Sequence, residues 1–288
     1  MDDSNRVILE AWNGILFDKF LRFRWILTEG LRGHSDLCFQ RHAPGLGAHV
    51  LDIGCGFGDT TLELASLVGT AGRATGMDCA QNFIALARAE ARAAGRDNAS
   101  HFVADAQQQP LHGPYDAAYS RFGTMFFTSP GAALRNVRRS LRPNGKLTMI
   151  VWRRREANPW LYAAELCVRE LVRVVAHEDS DQVHCGPGPF SMAGADLVSD
   201  LLLSAGYTDI AFERCDREIC IGRDLDEAVE FSMALGPAGE IIRLAGAEGE
   251  KQRPVVMRAL RSTLQTFARK DGVWAPSSTW FVSAINPG

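Results

Sequence analysis

The sequence predicts an α/β protein built on a doubly wound, seven-stranded, mostly parallel sheet. Three observations carry this. Short apolar runs alternate with amphipathic helical segments between residues 48 and 152, as successive βαβ units require. The first run ends in glycines at alternate positions, Gly54, Gly56 and Gly58, and an amphipathic segment (Leu62, Leu64, Ala65, Val68) begins at once. Acids close later runs, Asp78 after the second and Asp105 after the third.

Taken in order, residues 1–45 form a helical segment. Leu9, Trp12, Leu16, Phe20 and Phe23 recur there at helical spacing. A core over 46–152 follows. Strand one lies near 48–53, and a helix near 59–68, capped by Asp59 or Thr60, stops at Gly69. Strand two lies near 73–78. The next helix turns Phe83, Ile84, Ala87 and Ala91 inward and ends at Gly95. Strand three lies near 100–104 and strand four covers Tyr115 to Ser120. Pro130 opens a helix with Ala133, Leu134, Val137 and Leu141 inward, Arg142-Pro143-Asn144-Gly145 makes a turn, and Leu147 to Trp152 is strand five.

Residues 153–192 break the alternation and read as a lid insertion. Its helix starts at Asn158-Pro159-Trp160 and carries Leu161, Ala164, Leu166, Val168, Leu171 and Val175; a Gly/Pro-rich loop runs from His184 to Phe190. Residues 193–288 complete the sheet, with a helix over 194–205, strands at Tyr207 to Glu213 and Thr279 to Ala284, and a helical insertion at about 224–268. Arg135, Arg138, Arg139 and Arg142 read as a solvated helix face. Arg153-Arg154-Arg155 reads the same way, although its place past the sheet's C-terminal edge leaves room for an anionic substrate.

At 288 residues, 46% hydrophobic and 23% charged, the chain fits one α/β domain with a substantial appendage. A net charge of −3 gives no general attraction to nucleic acid or anionic membrane. No apolar run approaches the roughly 18–20 residues of a membrane span, and Met1-Asp2-Asp3 does not open a signal peptide, so a cytoplasmic location is expected. The seven cysteines show no Cys-x-x-Cys or Cys/His clustering, and no metal is expected. Cys55 and Cys79 read as small residues fitting tight backbone.

The glycine spacing restricts the ligand. A dinucleotide fingerprint would need glycine where Asp59 stands. Asp52 precedes the first glycine by two residues. Asp78, ending strand two, can accept from both hydroxyls of a ribose, and Asp105 can reach a purine amino group. A tight strand-to-helix turn that binds nothing is the alternative.

The stretch from Val50 to Trp152 resembles class I S-adenosylmethionine-dependent methyltransferases, most closely the branch related to the ubiquinone/menaquinone C-methyltransferases. Asp52-Ile53-Gly54-Cys55-Gly56-Phe57-Gly58 matches the family's first motif, Met77-Asp78 its second and Ala104-Asp105-Ala106 its third. Ser120 to Phe127 and Leu141 to Leu147 match the surroundings of strands four and five. The resemblance implies a Rossmann-like methyltransferase fold. It also implies S-adenosylmethionine as cofactor and S-adenosylhomocysteine as product. Gly54, Cys55, Gly56 and Gly58 with Asp52 would hold the methionine and ribose parts, Asp78 and Cys79 the ribose, and Asp105 and Ala106 the adenine. Ser120 and Arg121 would face the methyl end. An N-terminal helix bearing Trp12 and Asn13 would close over the site.

The acceptor pocket is expected at Phe122, Met125, Trp152, Trp160, Phe190 and Met233, with His184 as the candidate general base. The Asn/Asp-Pro-Pro-aromatic run of amino-methylating nucleic-acid enzymes, the Pro-Cys pair of cytosine C5 enzymes and the paired cysteines of arsenic methyltransferases are missing. A small apolar or aromatic acceptor remains, methylated by direct in-line displacement, with no nucleic-acid partner; a homodimer stays open. Two alternatives stand beside this reading: a non-catalytic S-adenosylmethionine-binding or regulatory protein, and a nicotinamide-dependent oxidoreductase.

Overall fold

The computed structural model describes residues 3–172 and 187–288; Val175, His184 and Cys185 lie outside them. The chain opens with α1 (Asp3–Asn13) and α2 (Ile15–Arg22), a π-helical turn at Ile26–Gly30, and α3 (Arg32–His42). It then alternates through β1 (His49–Ile53), α4 (Asp59–Leu67), β2 (Arg73–Asp78), α5 (Gln81–Ala93), β3 (Ala99–Val103), β4 (Tyr115–Arg121), α6 (Pro130–Ser140) and β5 (Leu141–Trp152). Next come α7 (Pro159–Leu171), α8 (Ala195–Ala205), β6 (Thr208–Gly222), α9 (Leu225–Leu235), α10 (Pro237–Leu244) and α11 (Gly246–Leu264). The short β7 (Ala268–Arg269) and the long β8 (Gly272–Ile285) end the chain.

The strands lie in the order β3-β2-β1-β4-β5-β8-β6, with β7 paired to β8 off that path. Neighbours from β3 to β5 are parallel, and β8 runs antiparallel to both β5 and β6. Val50 on β1 is in register with Ala74 on one side and Ala117 on the other. From β1 the chain passes to β2 and β3 on one side, then returns to β4 and β5 on the other. The crevice outside the C-terminal ends of β1 and β4 is therefore the topological switch point, where open α/β sheets take ligands.

Burial explains the apolar runs. Val50, Leu51 and Ile53 are completely buried, as a strand covered on both faces must be. Phe83, Ile84, Ala87 and Ala91 are the buried stripe of α5. Phe83 meets Trp12, Phe17, Phe20 and Phe57 edge-on or tilted, with ring centroids 5.0–6.5 Å apart. Each such pair adds about 0.5–1.5 kcal/mol beyond area burial, so this cluster pins α1 and α2 to the sheet's helical layer.

Several sequence expectations change. Gly58, in the left-handed region, is the N-cap of α4; neither Asp59 nor Thr60 caps it, because both are inside the helix facing Arg121. Arg142 to Gly145 is an extra loop within β5. The register jumps from Tyr115↔Leu141 to Ala117↔Lys146, Asn144 has φ +63°, and the Asn286 amide donates to the Leu141 and Arg142 carbonyls. Leu166 and Leu171 on α7 are exposed. The strand expected to stop at Glu213 continues to Gly222, because β8 pairs with it along nearly its whole length.

In the Arg153–Arg155 run Arg154 is exposed as expected, but its two neighbours are engaged. The Arg153 guanidinium lies 4.6 Å from the Trp280 ring centroid and donates to Ser278, while Arg155 bonds Glu165. Among the described residues no helix is long and apolar enough to cross a membrane.

Candidate functional site

A cavity of about 1050 Å³ opens at the switch point, and two kinds of wall bound it. One is acidic and glycine-rich, made from the ends of β1, β2 and β3. The other is aromatic, made from the segment after β4, the end of β5, α7, residues 187–190 and α9–α11.

The glycine wall is shaped by close backbone approach. Gly54 has φ +66°, and a Cβ there would lie 3.2 Å from the Gly123 Cα, so the turns after β1 and β4 meet with no room for a side chain. Gly58 differs from its two neighbours. It does not line the cavity; a Cβ on it would strike the Ala87 Cβ at 2.8 Å and the His101 Nε2 at 2.9 Å, and its φ is +82°. Its part is to seat α4 on α5 and β3.

Four carboxylates stand on this wall: Asp52, Asp59, Asp78 and Asp105. Asp52 is 1% exposed. It accepts from the Thr61 hydroxyl at 2.6 Å, its other oxygen has no partner, and burial pushes it up to about 7. Asp78 accepts from the Ala80 N–H at 2.9 Å and the Gly56 N–H at 3.1 Å. Burial raises its pKa, and these two bonds oppose the rise. Asp105 accepts from the Gln107 N–H at 2.9 Å. Burial also raises the Cys55 and Cys79 thiols well above their ordinary value, which keeps both protonated beside these acids.

One arginine offsets the acids, and it is already engaged. Arg121 pairs with Asp59 and donates to the Thr60 hydroxyl at 2.9 Å and the Leu27 carbonyl at 3.1 Å. It ties the start of α4 to the turn before α3. Ser120, expected beside it at the methyl end, does not line the cavity: it donates back to the Ile53 carbonyl at 2.9 Å. Asn13 is likewise absent from the wall and is joined to Asn82, whereas Trp12 lines it, edge-on to Phe126 at 5.2 Å.

The six residues expected at an acceptor pocket (Phe122, Met125, Trp152, Trp160, Phe190 and Met233) all line the aromatic wall. Phe122 has φ +58° and stacks on Trp152 at 4.4 Å. Trp152 meets Trp160 edge-on at 6.2 Å, and Trp160 stacks on Phe231 at 5.9 Å. Behind Trp152 lies the fully buried His34, hydrogen-bonded to Ser277 at 2.7 Å and Thr279 at 3.0 Å; burial lowers its pKa to about 4. Sequence reading missed Phe231, Glu165 and the engagement of Arg121 with Asp59. Glu165 precedes Arg169 by four residues on α7, which was the available signal.

Residues 50–145 match the family model described as a methyltransferase domain. This stretch is thus similar to methyltransferase domains. The chain is similar to a demethylmenaquinone methyltransferase of Lactococcus lactis subsp. lactis, 28% identical over 105 residues (36% of this chain, 42% of that protein). It is also similar to an O-methyltransferase of Pyrenophora dematioidea, 33% identical over 112 residues (38% and 41%). The match thus spans less than half the length of either relative. The fold is similar to that of the solved YcgJ protein of Bacillus subtilis, with TM-score 0.56, 15% identity, and coverage of 88% of this chain and 98% of that one.

The expected cofactor fits the acidic wall on charge as well as shape. S-adenosylmethionine is a sulfonium cation, and four carboxylates against one paired arginine favour a cation where they would oppose an anionic pyrophosphate. The lone Asp52 oxygen lies in the same acid cluster, where added positive charge would stabilise it.

Proposed function

We propose that this chain transfers a methyl group from S-adenosylmethionine to a small apolar or aromatic acceptor. The observation that carries the reading is the division of one cavity into an acidic glycine wall and an aromatic wall. The match of residues 50–145 to a methyltransferase domain supports it.

When bound, S-adenosylmethionine supplies a methyl carbon already activated for displacement. The chain's own tasks are to bind, orient and keep water out. Gly54 and Gly56 keep side chains off the floor. Asp78, fixed by the Gly56 and Ala80 N–H groups, would accept from ribose hydroxyls, and Asp105, oriented by Gln107, would meet the adenine with Ala106. Cys55 and Cys79 would flank these groups as neutral thiols. Trp12 would cover the cradle from α1.

On the other side, Phe122, Trp152 and Trp160 give flat apolar faces, and Met125, Met233 and Phe190 complete the enclosure. His184, the candidate base, lies outside the described residues.

Calorimetric titration with S-adenosylhomocysteine, with NAD as control, tests the reading. The expected outcome is micromolar affinity, about −8 kcal/mol, for the former alone. Binding of NAD with no binding of S-adenosylhomocysteine would overturn it.

A further inference from the structure

Arg155 occupies an unusual place on the aromatic wall. It follows β5 directly, its guanidinium lies 5.4 Å from the Phe190 ring centroid, and Arg155, Phe190 and Glu165 all line the cavity. One of its terminal nitrogens, Nη1, reaches both Glu165 oxygens, at 2.7 and 2.9 Å. Its Nε and Nη2 make no hydrogen bond with the described residues. Glu165 has a side chain only 5% exposed and is also held by Arg169 at 2.8 Å.

Two guanidiniums thus hold this carboxylate. Its effect is to fix the Arg155 guanidinium against α7 while two of its N–H edges have no partner among the described residues. Charge on this side is balanced, unlike that on the glycine wall. Arg155, Arg243 and Arg253 face the cavity there against Glu165, Glu240 and Glu250. The surface beside the aromatic ladder is therefore balanced in charge, and an anion meets no excess of acids there.

We propose that the acceptor is an aromatic carboxylate whose ring lies along the Phe122–Trp152–Trp160 ladder and whose oxyanion is bound by Arg155. This rests on the methyltransferase reading and narrows its acceptor class. Arg155 is then a specificity-determining residue, and Glu165, which never touches the acceptor, is a positioning residue for it.

The probes are 2-naphthoate and its neutral isostere naphthalene-2-carboxamide. Each is titrated calorimetrically into the full chain, with and without saturating S-adenosylhomocysteine. The native protein should bind the carboxylate at least about tenfold more tightly, the margin of a charge-assisted hydrogen-bonded pair. In Arg155→Met the preference should shrink to within about twofold, while S-adenosylhomocysteine affinity holds. Arg155→Lys, which keeps the charge but loses the fork, should retain part of the preference, and Glu165→Gln should weaken it without abolishing it. Equal affinity of the native protein for the two probes would overturn the proposal, as would a preference that survives Arg155→Met. Either result, with S-adenosylhomocysteine still bound, leaves the methyltransferase reading standing. Loss of S-adenosylhomocysteine binding by the native protein would instead strike that reading.

Discussion

Replacing Asp78 by alanine tests the cradle most directly. In the folded protein its carboxylate accepts from the Gly56 and Ala80 N–H groups at 3.1 and 2.9 Å. The same burial that makes these bonds strong raises its pKa, so desolvation cancels much of their gain. The variant should therefore lose only about 1–2 kcal/mol of folding stability. Cofactor binding should suffer far more. Two hydroxyl–carboxylate bonds, at about 1.5–3 kcal/mol each, would vanish, weakening S-adenosylhomocysteine by about 3–6 kcal/mol, or a hundredfold and more.

Asp78→Asn sharpens the test. An amide turns an N–H₂ group toward one of two backbone donors and cannot accept from both, so affinity should fall nearly as far despite equal volume. Calorimetry gives the affinity, and thermal denaturation of the same samples gives the stability. Near-native affinity in a folded Asp78→Ala protein would refute the placement of the cofactor.

Other expectations concern stability and motion. Gly58→Ala combines left-handed strain with a contact of 2.8 Å on Ala87 and should cost about 2–4 kcal/mol, read as a lower denaturant midpoint. His34 has a folded pKa near 4 against 6.5 unfolded, so its contribution is present above pH 6.5 and is lost as pH falls toward 4. That loss is about 3 kcal/mol, and melts of His34→Gln across this range should show a flatter acid limb. Asp52 acts in the opposite direction. With its folded pKa near 7, its contribution is intact below about pH 4 and lost as pH rises through 7, so Asp52→Asn should gain relative to the native protein on the alkaline side. Arg121→Met removes the tie to the Leu27 carbonyl and should raise amide exchange across residues 26–30 by about tenfold or more. Unchanged exchange there would show that the turn is held by its own packing.

Much of this was legible in the sequence wherever a signal was local. The strands and helices from β1 to β5 follow from apolar runs, glycine stops and Pro130, because each is fixed by residues within a turn or two. The acids Asp78 and Asp105 were legible for the same reason, since each stands at or just past the end of a strand. What the sequence hid depends on partners far along the chain. Ser120 looked like a site residue because it ends β4, yet the Ile53 carbonyl, 67 residues away, claims its hydroxyl. Arg142 to Gly145 read as a free turn, and only Asn286 shows that it is a loop held within a strand. The length of β6 is likewise set by β8, and Glu165 became visible only once α7 brought it to Arg155.

The point at which the α9–α11 segment leaves the sheet has a consequence for how this molecule can change. Gly222 and Val273 are register partners, so the chain departs just past one and returns just before the other. A helical segment anchored at adjacent rungs can be lengthened, shortened or exchanged without sliding any strand. The residues of the glycine wall all lie between Asp52 and Gln107, whereas Phe231, Met233, Arg243 and Arg253 belong to that removable segment. The glycine wall and this part of the opposite wall are thus carried on separable lengths of polypeptide. A graft replacing residues 224–267 would reshape that part of the cavity while leaving the glycine wall untouched.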